Sequence, residues 1–207
     1  MVTQFINAPI RTPRPFIWPV ERQALREHAL ADSGADDELE RYMKSAVDFI
    51  QSRYGVQINT AEFKWDLPKF HRRLPYFYPP LVNVVEMKYF DQDGNDVTFD
   101  LDKVYTYAPS DGQYGFTQVM PATAIPGTVE RPDAVRIKYN AGWGLDHTAV
   151  PDRVKEAILL LTTRFMEFRT TVITGTIATE LEFSLDAIMA SVKSGSFAGQ
   201  WQEIGRW

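Results

Sequence analysis

The chain contains no cysteine. Disulfides, zinc–thiolate sites, iron–sulfur clusters and a cysteine nucleophile are therefore excluded, and the composition fits a reducing compartment. Histidine is nearly as scarce. His28, His71 and His147 lie far apart, and none sits in a metal-binding spacing such as HExxH, so each reads as a surface or helix-end residue. No apolar run approaches the ~18 residues that a membrane span requires. The first residues, MVTQFINAPIRTPRPFIWPV, are broken by four prolines and lack the apolar centre of a signal peptide. An excess of positive charge is missing too. A net charge of −5 gives no general attraction to DNA or to membranes. There is no GxGxxG, no P-loop, no GxSxG, no internal repeat and no low-complexity tract.

What remains is an ordinary folded composition with one bias. The 207 residues suffice for one large domain or two small ones, and 44% hydrophobic with 24% charged residues is typical of a soluble chain. Aromatics reach 13%, and many fall in loops or tails, where they serve as interface anchors. The organising stretch is residues 150–190. Pro151 suits a first helical turn and Asp152 the positive helix end. Val154, Ala157, Ile158, Leu161, Phe165 and Phe168 then recur at three- and four-residue steps, and Leu159 and Leu160 widen that face. After Thr170 the chain becomes β-branched (TTVITGTIATELEF), an extended arm. Leu185, Ile188, Met189 and Val192 form a second short helical pattern.

Upstream, residues 1–19 read as an extended arm, because Pro9, Pro13, Pro15 and Pro19 prevent helix. Phe5, Ile6, Phe16, Ile17 and Trp18 make it either a strap on its own domain or an arm on a neighbour. Residues 20–31 read as a short helix. Residues 36–54 read as a longer one, with an acidic first turn, a stripe through Leu39, Tyr42, Met43, Ala46, Val47, Ile50 and Tyr54, and Gly55 as the stop. From 56 to 144 the pattern becomes strands. They run through 58–67, from the Pro79-Pro80 break to Phe90, back through VTFDLDKVYTY at 97–107, at 116–120, and at 134–139. Segregated helices and four to six strands argue for α+β: a small helical bundle from the N- and C-terminal helices, an inserted antiparallel β-sheet, and extended N- and C-terminal arms. The expected division is 1–19 arm, 20–55 with 150–193 helical core, 56–149 inserted β-rich domain, and 194–207 aromatic tail.

Chemistry is hard to place. DQDGND at 91–96 has its glycine fourth rather than sixth, so it reads as a hairpin turn and not a calcium loop. Gly142-Trp143-Gly144 is a turn with an aromatic. His71-Arg72-Arg73 beside Phe70, Tyr76, Phe77 and Tyr78 could serve a single strand, or be a solvated loop beside packed aromatics. The tail GSFAGQWQEIGRW combines flexible glycines with Phe197, Trp201 and Trp207, which either fold back or insert into a partner.

Four stretches, in this order, resemble one family: DDELERYMKSAVDFIQSRYGVQINTAEF at 36–63, PPLVNVVEMKYFDQDGNDVTFDLDKVY at 79–105, RPDAVRIKYNAGWG at 131–144, and VPDRVKEAILLLTTRFMEFRTTVITGTIATELEFSLDAIMA at 150–190. The chain is similar to the head–tail adaptor (connector) proteins of tailed bacteriophages and gene transfer agents, of the type with a β-sheet inserted in a helical core. The resemblance implies a structural virion protein without catalysis or cofactor, made in the host cytoplasm. It would form a ring of typically about twelve copies beneath the portal protein, carry double-stranded DNA through its channel without sequence recognition, and seat a stopper or tail-completion protein. It implies portal contacts through the region from Ser184 onward, which carries Phe197, Trp201, Ile204 and Trp207. Neighbour contacts are expected from Phe16, Trp18, Val172, Ile173, Ile177, Leu181 and Phe183. An acidic channel wall would let DNA slide. The alternatives are a hydrolytic or carbohydrate-active α+β enzyme with a carboxylate site that no motif marks, and another neck protein such as a stopper.

Overall fold

The computed structural model describes residues 8–31, 34–110, 113–167 and 184–190. The fold is α+β, as expected, with four α-helices and eight strands among the described residues. They fall into two compact units: residues 16–59 with 143–167 and 184–190, and residues 8–15 with 60–142.

The first unit is helical. Helix α1, Arg22–Ala29, is shorter than the expected 20–31, and ends at Leu30 in the left-handed region with φ 50°. Leu30 is 93% exposed, so neither packing nor glycine explains that conformation. Helix α2, Asp36–Tyr54, has the expected bounds. Asp36, Asp37 and Glu38 complement its positive end, and Gly55 at φ 65° turns its N–H back to the Gln51 carbonyl at 2.9 Å. Helix α3, Asp152–Glu167, buries Val154, Ala157, Ile158 and Leu161 of the stripe its spacing predicts, with Phe165 half-buried and Phe168 outside the described residues. Leu159 and Leu160 are only half-buried. Thr162 is fully buried, and its own hydroxyl is satisfied by donating to the Ile158 carbonyl at 2.7 Å. Residues 184–189 form α4, which drives Leu185 and Met189 into the same core as Leu25, Leu39, Met43 and Ile50.

The second unit holds two antiparallel sheets rather than the one expected. The larger runs β1 (Ile10–Arg11), β2 (Ala61–Leu67), β8 (Val135–Ala141), β4 (Leu81–Phe90), β5 (Asp96–Thr98) in spatial order. The smaller runs β3 (Arg73–Pro75), β7 (Phe116–Val119), β6 (Val104–Tyr107). The difference arises after the DQDGND turn. The stretch 97–107 does not return as one strand. It leaves β4 after Thr98, makes a short 3₁₀ turn at Leu101–Lys103 capped by the Asp100 side chain, and enters the other sheet as β6. Asp100 drives this by accepting the Asp102 N–H at 3.0 Å, a local bond that competes with strand pairing.

Strands β2 and β8 pair over seven residues with strict alternation, Ala61, Phe63, Trp65 and Leu67 inward against Ala141, Tyr139, Ile137 and Val135. Strand β4 reaches the same interior with Leu81 and Met87, but two bulges leave Val82 and Val85 outside the ladder, 47% and 44% exposed. Between the sheets the aromatics interlock. Tyr76 meets Tyr139 at 4.7 Å and Trp65 meets Phe77 at 5.3 Å. The buried Tyr76 hydroxyl finds Thr117 Oγ1 at 3.1 Å. Gly115 lets the backbone pass here, since a Cβ there would overlap Leu81 and stand 2.8 Å from the Tyr107 carbonyl.

Truncation should separate the two cores. Ile158→Ala in the helical unit should cost about 2–5 kcal/mol and Trp65→Ala in the β unit about 3–5 kcal/mol by denaturant titration. Gly115→Ala should also destabilise, because the obstacle includes backbone; an unchanged unfolding midpoint would contradict that close approach.

Candidate functional site

Among the described residues, several titratable side chains form surface ion pairs. Along α2 a shallow depression is lined by Asp37, Glu40, Arg41, Lys44, Ser45 and Asp48. Two of its charges are paired within the helix: Lys44 lies 2.6 Å from Glu40 and Arg41 3.6 Å from Glu38. Among the described residues no group of three His, Asp or Glu side chains is placed to hold a metal ion. Asp91 accepts the N–H groups of Asp93 and Asn95 at 3.0 and 2.8 Å, and Gly94 takes φ 84°, so DQDGND is a hairpin turn closed by its own aspartate. These bonds hold the Asp91 carboxyl below its usual range, the Asn95 side chain first among them.

His71-Arg72-Arg73 is not a free stacking platform. Phe70 and Tyr76 are buried, and Phe77 and Tyr78 pack against the β core. Burial pushes the His71 pKa down, helped by the nearby Lys69 charge, so its imidazole resists protonation. Arg72 donates to the Met120 carbonyl at 3.3 Å, and Arg73 stacks 4.0 Å above the Phe116 ring.

Three surfaces are left as candidates for assembly. The first is the strap. Phe16 and Trp18 are half-buried against their own helical unit. Lys44 lies 5.2 Å over the Phe16 ring, and Arg22 lies 4.4 Å over Trp18. Asn59 Nδ2 donates to the Ile17 carbonyl, fixing the strap between them. Thus these two residues, expected at a neighbour, begin as part of their own domain with one face outward.

The second surface is α4. Ser184 opens it and is exposed. Asp186 accepts from the Tyr54 hydroxyl at 2.8 Å and faces Arg53 Nη2 at 3.4 Å, while Leu185 and Met189 sit in the core beneath. Burial, then the Asp186 bond, push the Tyr54 hydroxyl up to about 12. This clasp fixes the point from which the chain continues toward its C-terminus. It was missed from sequence because it joins residues more than a hundred positions apart. Val172, Ile173, Ile177, Leu181, Phe183, Phe197, Trp201, Ile204 and Trp207, all expected at interfaces, lie outside the described residues.

The third surface is the outer face of the smaller sheet. Tyr105 and Tyr107 are 54% and 40% exposed. Tyr107 lies 5.2 Å and Tyr105 6.3 Å from Phe116, itself under Arg73. The alternation of Val104-Tyr105-Thr106-Tyr107 could have revealed it, had 97–107 not been read as one strand. By contrast, the outer face of the larger sheet is a lattice of opposite charges. Glu86 bridges Lys88 at 2.9 Å and Lys138 at 2.8 Å, and Arg136 meets Asp96 at 2.5 Å. The Lys138 hydrogen bond, then that of Lys88, hold the Glu86 carboxyl below its usual range. Exposed pairs of this kind each contribute little to stability.

Comparisons with known proteins return a fold. No protein-family model matches the chain, and no curated protein is significantly similar to it. Solved structures are. A chain in the neck of an empty gene transfer agent (GTA) particle computed with C6 symmetry superposes at TM-score 0.71 and 16% identity, over 90% of this chain and 96% of that one. A chain in the virion of a native GTA particle gives 0.71 and 15%, with the same coverage. One in the neck of a native GTA particle computed with C12 symmetry gives 0.68 and 15%. At such identity the likeness is one of fold.

Two pH limbs arise from the shifted groups. The Arg26 hydrogen bond holds the Asp36 carboxyl below 3.8, and the lysines hold Glu86 below 4.5. Their stabilisation is full above those unfolded values and is lost as pH falls through the lower folded ones. Unfolding midpoints should therefore drop on acidification, and Asp36→Asn with Glu86→Gln should flatten that limb. Tyr54 has the opposite sign. Its contribution is full below 10 and lost as pH rises toward about 12. Tyr54→Phe should shrink this alkaline limb, leaving the part due to the buried Tyr76 and Tyr139, and accelerate amide exchange in 184–189 by roughly fivefold, since such a bond is worth about 1 kcal/mol.

Proposed function

We propose that this chain is a structural subunit of the neck of a phage-like particle: an adaptor that forms a ring beneath a portal, extends the DNA channel and seats a stopper or tail. The observation that supports it most is that nearly the whole chain, helices and inserted sheets in one order, shares its fold with chains from gene transfer agent necks. The four sequence stretches that resemble adaptor proteins fall on α2 with β2, on β4 through β6, on β8, and on α3 onward. The surfaces agree with an assembling role. Several charged side chains pair with one another on the surface, while aromatics are exposed on β6 and half-exposed in the strap.

In this reading the ring contains about twelve copies related by rotation, which requires heterologous interfaces that close. Phe16 and Trp18 present their outer faces to a neighbour, together with Val172, Ile173, Ile177, Leu181 and Phe183. Helix α4, clasped by Tyr54, directs the chain from Ser184 toward the portal, where Phe197, Trp201, Ile204 and Trp207 insert. In this reading the aromatics supply the binding area. The net charge of −5 leaves acidic side chains available for the lumen, where repulsion from phosphate keeps DNA sliding. No catalysis and no cofactor belong to this role. The protein works in the virion after synthesis in the host cytoplasm.

Deleting 195–207 should leave the thermal midpoint unchanged and abolish attachment of particles' heads to tails. Normal joining by the truncated chain would overturn the portal assignment. The free chain should sediment as a monomer or weak oligomer, because its aromatic anchors complete their interfaces only on the partner; a stable dodecamer in isolation would contradict this.

A further inference from the structure

Sheet edges are open hydrogen-bonding templates, and proteins normally blunt them with short strands, charge, proline or bulges. Among the described residues every edge but one is blunted. Strand β1 has two residues and follows Pro9. Strand β5 has three and begins with Asp96. Strand β3 has three and contains Arg73 and Pro75. The part of β4 beyond β5 carries both bulges and Glu86. The part of β2 beyond β1 carries Asp66. Strand β6 reads Val-Tyr-Thr-Tyr, without charge, proline or bulge. It pairs with β7 on one side, and no described strand lies on the other. Tyr105, Thr106 and Tyr107 are all exposed along it.

We propose that the open edge of β6 receives an added strand from a second copy of this chain, namely the segment around 170–177. The proposal rests on the self-assembly reading and names where one contact falls. Sixteen residues, 168–183, connect α3 to α4, long enough to reach roughly 50 Å if extended. From Thr170 to Thr179 they contain no charge and no proline, and Thr170, Thr171, Val172, Ile173, Thr174, Thr176, Ile177 and Thr179 are β-branched. Such a sequence fits a pleated edge through backbone bonds, with alternate side chains selecting the partner. In strand geometry Ile173 and Ile177 share one side, two steps either side of Gly175. Glycine there leaves room for a tyrosine between the two isoleucines. Glu180 and Glu182 follow, and Arg73 lies on β3, across β7 in the sheet that β6 belongs to. The contact is also heterologous, an edge on one copy and an arm on the next, which is what closure into a ring demands.

The absence of cysteine makes the test direct, because every introduced thiol is the only one in its chain. Full-length Tyr105→Cys carrying a size tag is mixed with untagged chains bearing single cysteines walked through 172–177, then oxidised mildly. Disulfides trap transient pairs, so weak association suffices. The expected result is a mixed dimer whose yield alternates along the segment, at least fivefold higher on one parity. Equal yields at every position, or no mixed dimer, overturn the proposal. So does a disulfide that forms only when both cysteines are in one diluted chain, since the arm then serves its own copy. Tyr105→Lys with Tyr107→Lys blunts the edge; both residues are exposed, and the thermal midpoint checks the fold. Loss of the cross-link between Thr106→Cys in that variant and the best arm position is expected, and an unchanged yield overturns the proposal. The result separates from the tail truncation. Alternating cross-links with normal joining by truncated chains leave the strand addition standing and remove the portal assignment. The reverse outcome removes only the strand addition.

Discussion

The pairing of β2 with β8 is the constraint on which the rest depends. These strands run antiparallel over their full length, with Ala61 opposite Ala141 at one end and Leu67 opposite Val135 at the other. The chain that leaves through β2 therefore comes back beside its own departure point. Just outside the ladder, Asn59 forms a bridge to Gly144, and the Trp143 N–H bonds the Ile58 carbonyl at 2.9 Å. This return brings α3 back to pack on helices α1 and α2, which end roughly a hundred residues before it. Antiparallel pairing closes a very long excursion at a cost that grows slowly with its length, and the excursion is then free to acquire a second sheet.

Each unit settles its polar groups in its own way. In the helical unit, Thr162 bonds back to its own helix, Arg26 meets Asp36 across the α1–α2 turn, and His28 meets Thr163 at 2.9 Å. In the β unit the aromatic interior holds two tyrosines whose hydroxyls are answered by Thr117 and by the Phe77 carbonyl. Desolvation pushes both of those tyrosines well above the ordinary phenolic range. They act as rigid wedges between sheets, not as proton donors.

The helices were legible because each carries one uninterrupted stripe with chemical punctuation: Asp36 to Gly55 for α2, Pro151 and the Val154–Leu161 spacing for α3. The fold class followed from their segregation from the strands. Two things stayed hidden. Asp100 stops the strand begun at Val97 by a local side-chain bond, so one apparent strand serves two sheets. The Tyr54–Asp186 clasp depends on the packing of α4, which no periodicity in either segment encodes. Candidate interface residues in the strap were recognisable as too apolar to be idle. Whether they face inward or outward is a question about neighbouring helices, and Phe16 and Trp18 turn out to do some of each.

The two bulges of β4 have a consequence for how this chain can change in length. With Val82 and Val85 set aside, Leu81, Asn83, Val84, Glu86, Met87 and Lys88 alternate cleanly between interior and charged face, matching Ala141 to Arg136 residue for residue. Each valine is therefore a spare unit. Loss of either one would restore a regular ladder without exchanging inside for outside. Loss of Asn83 would let Val82 slide into its place, exchanging an amide for an alkyl group on the outer face while Met87 stays in the core. Most strands answer a single deletion by inverting everything beyond it. This one carries a local reserve against such an error, in the half of β4 that pairs with β8 but lies beyond β5.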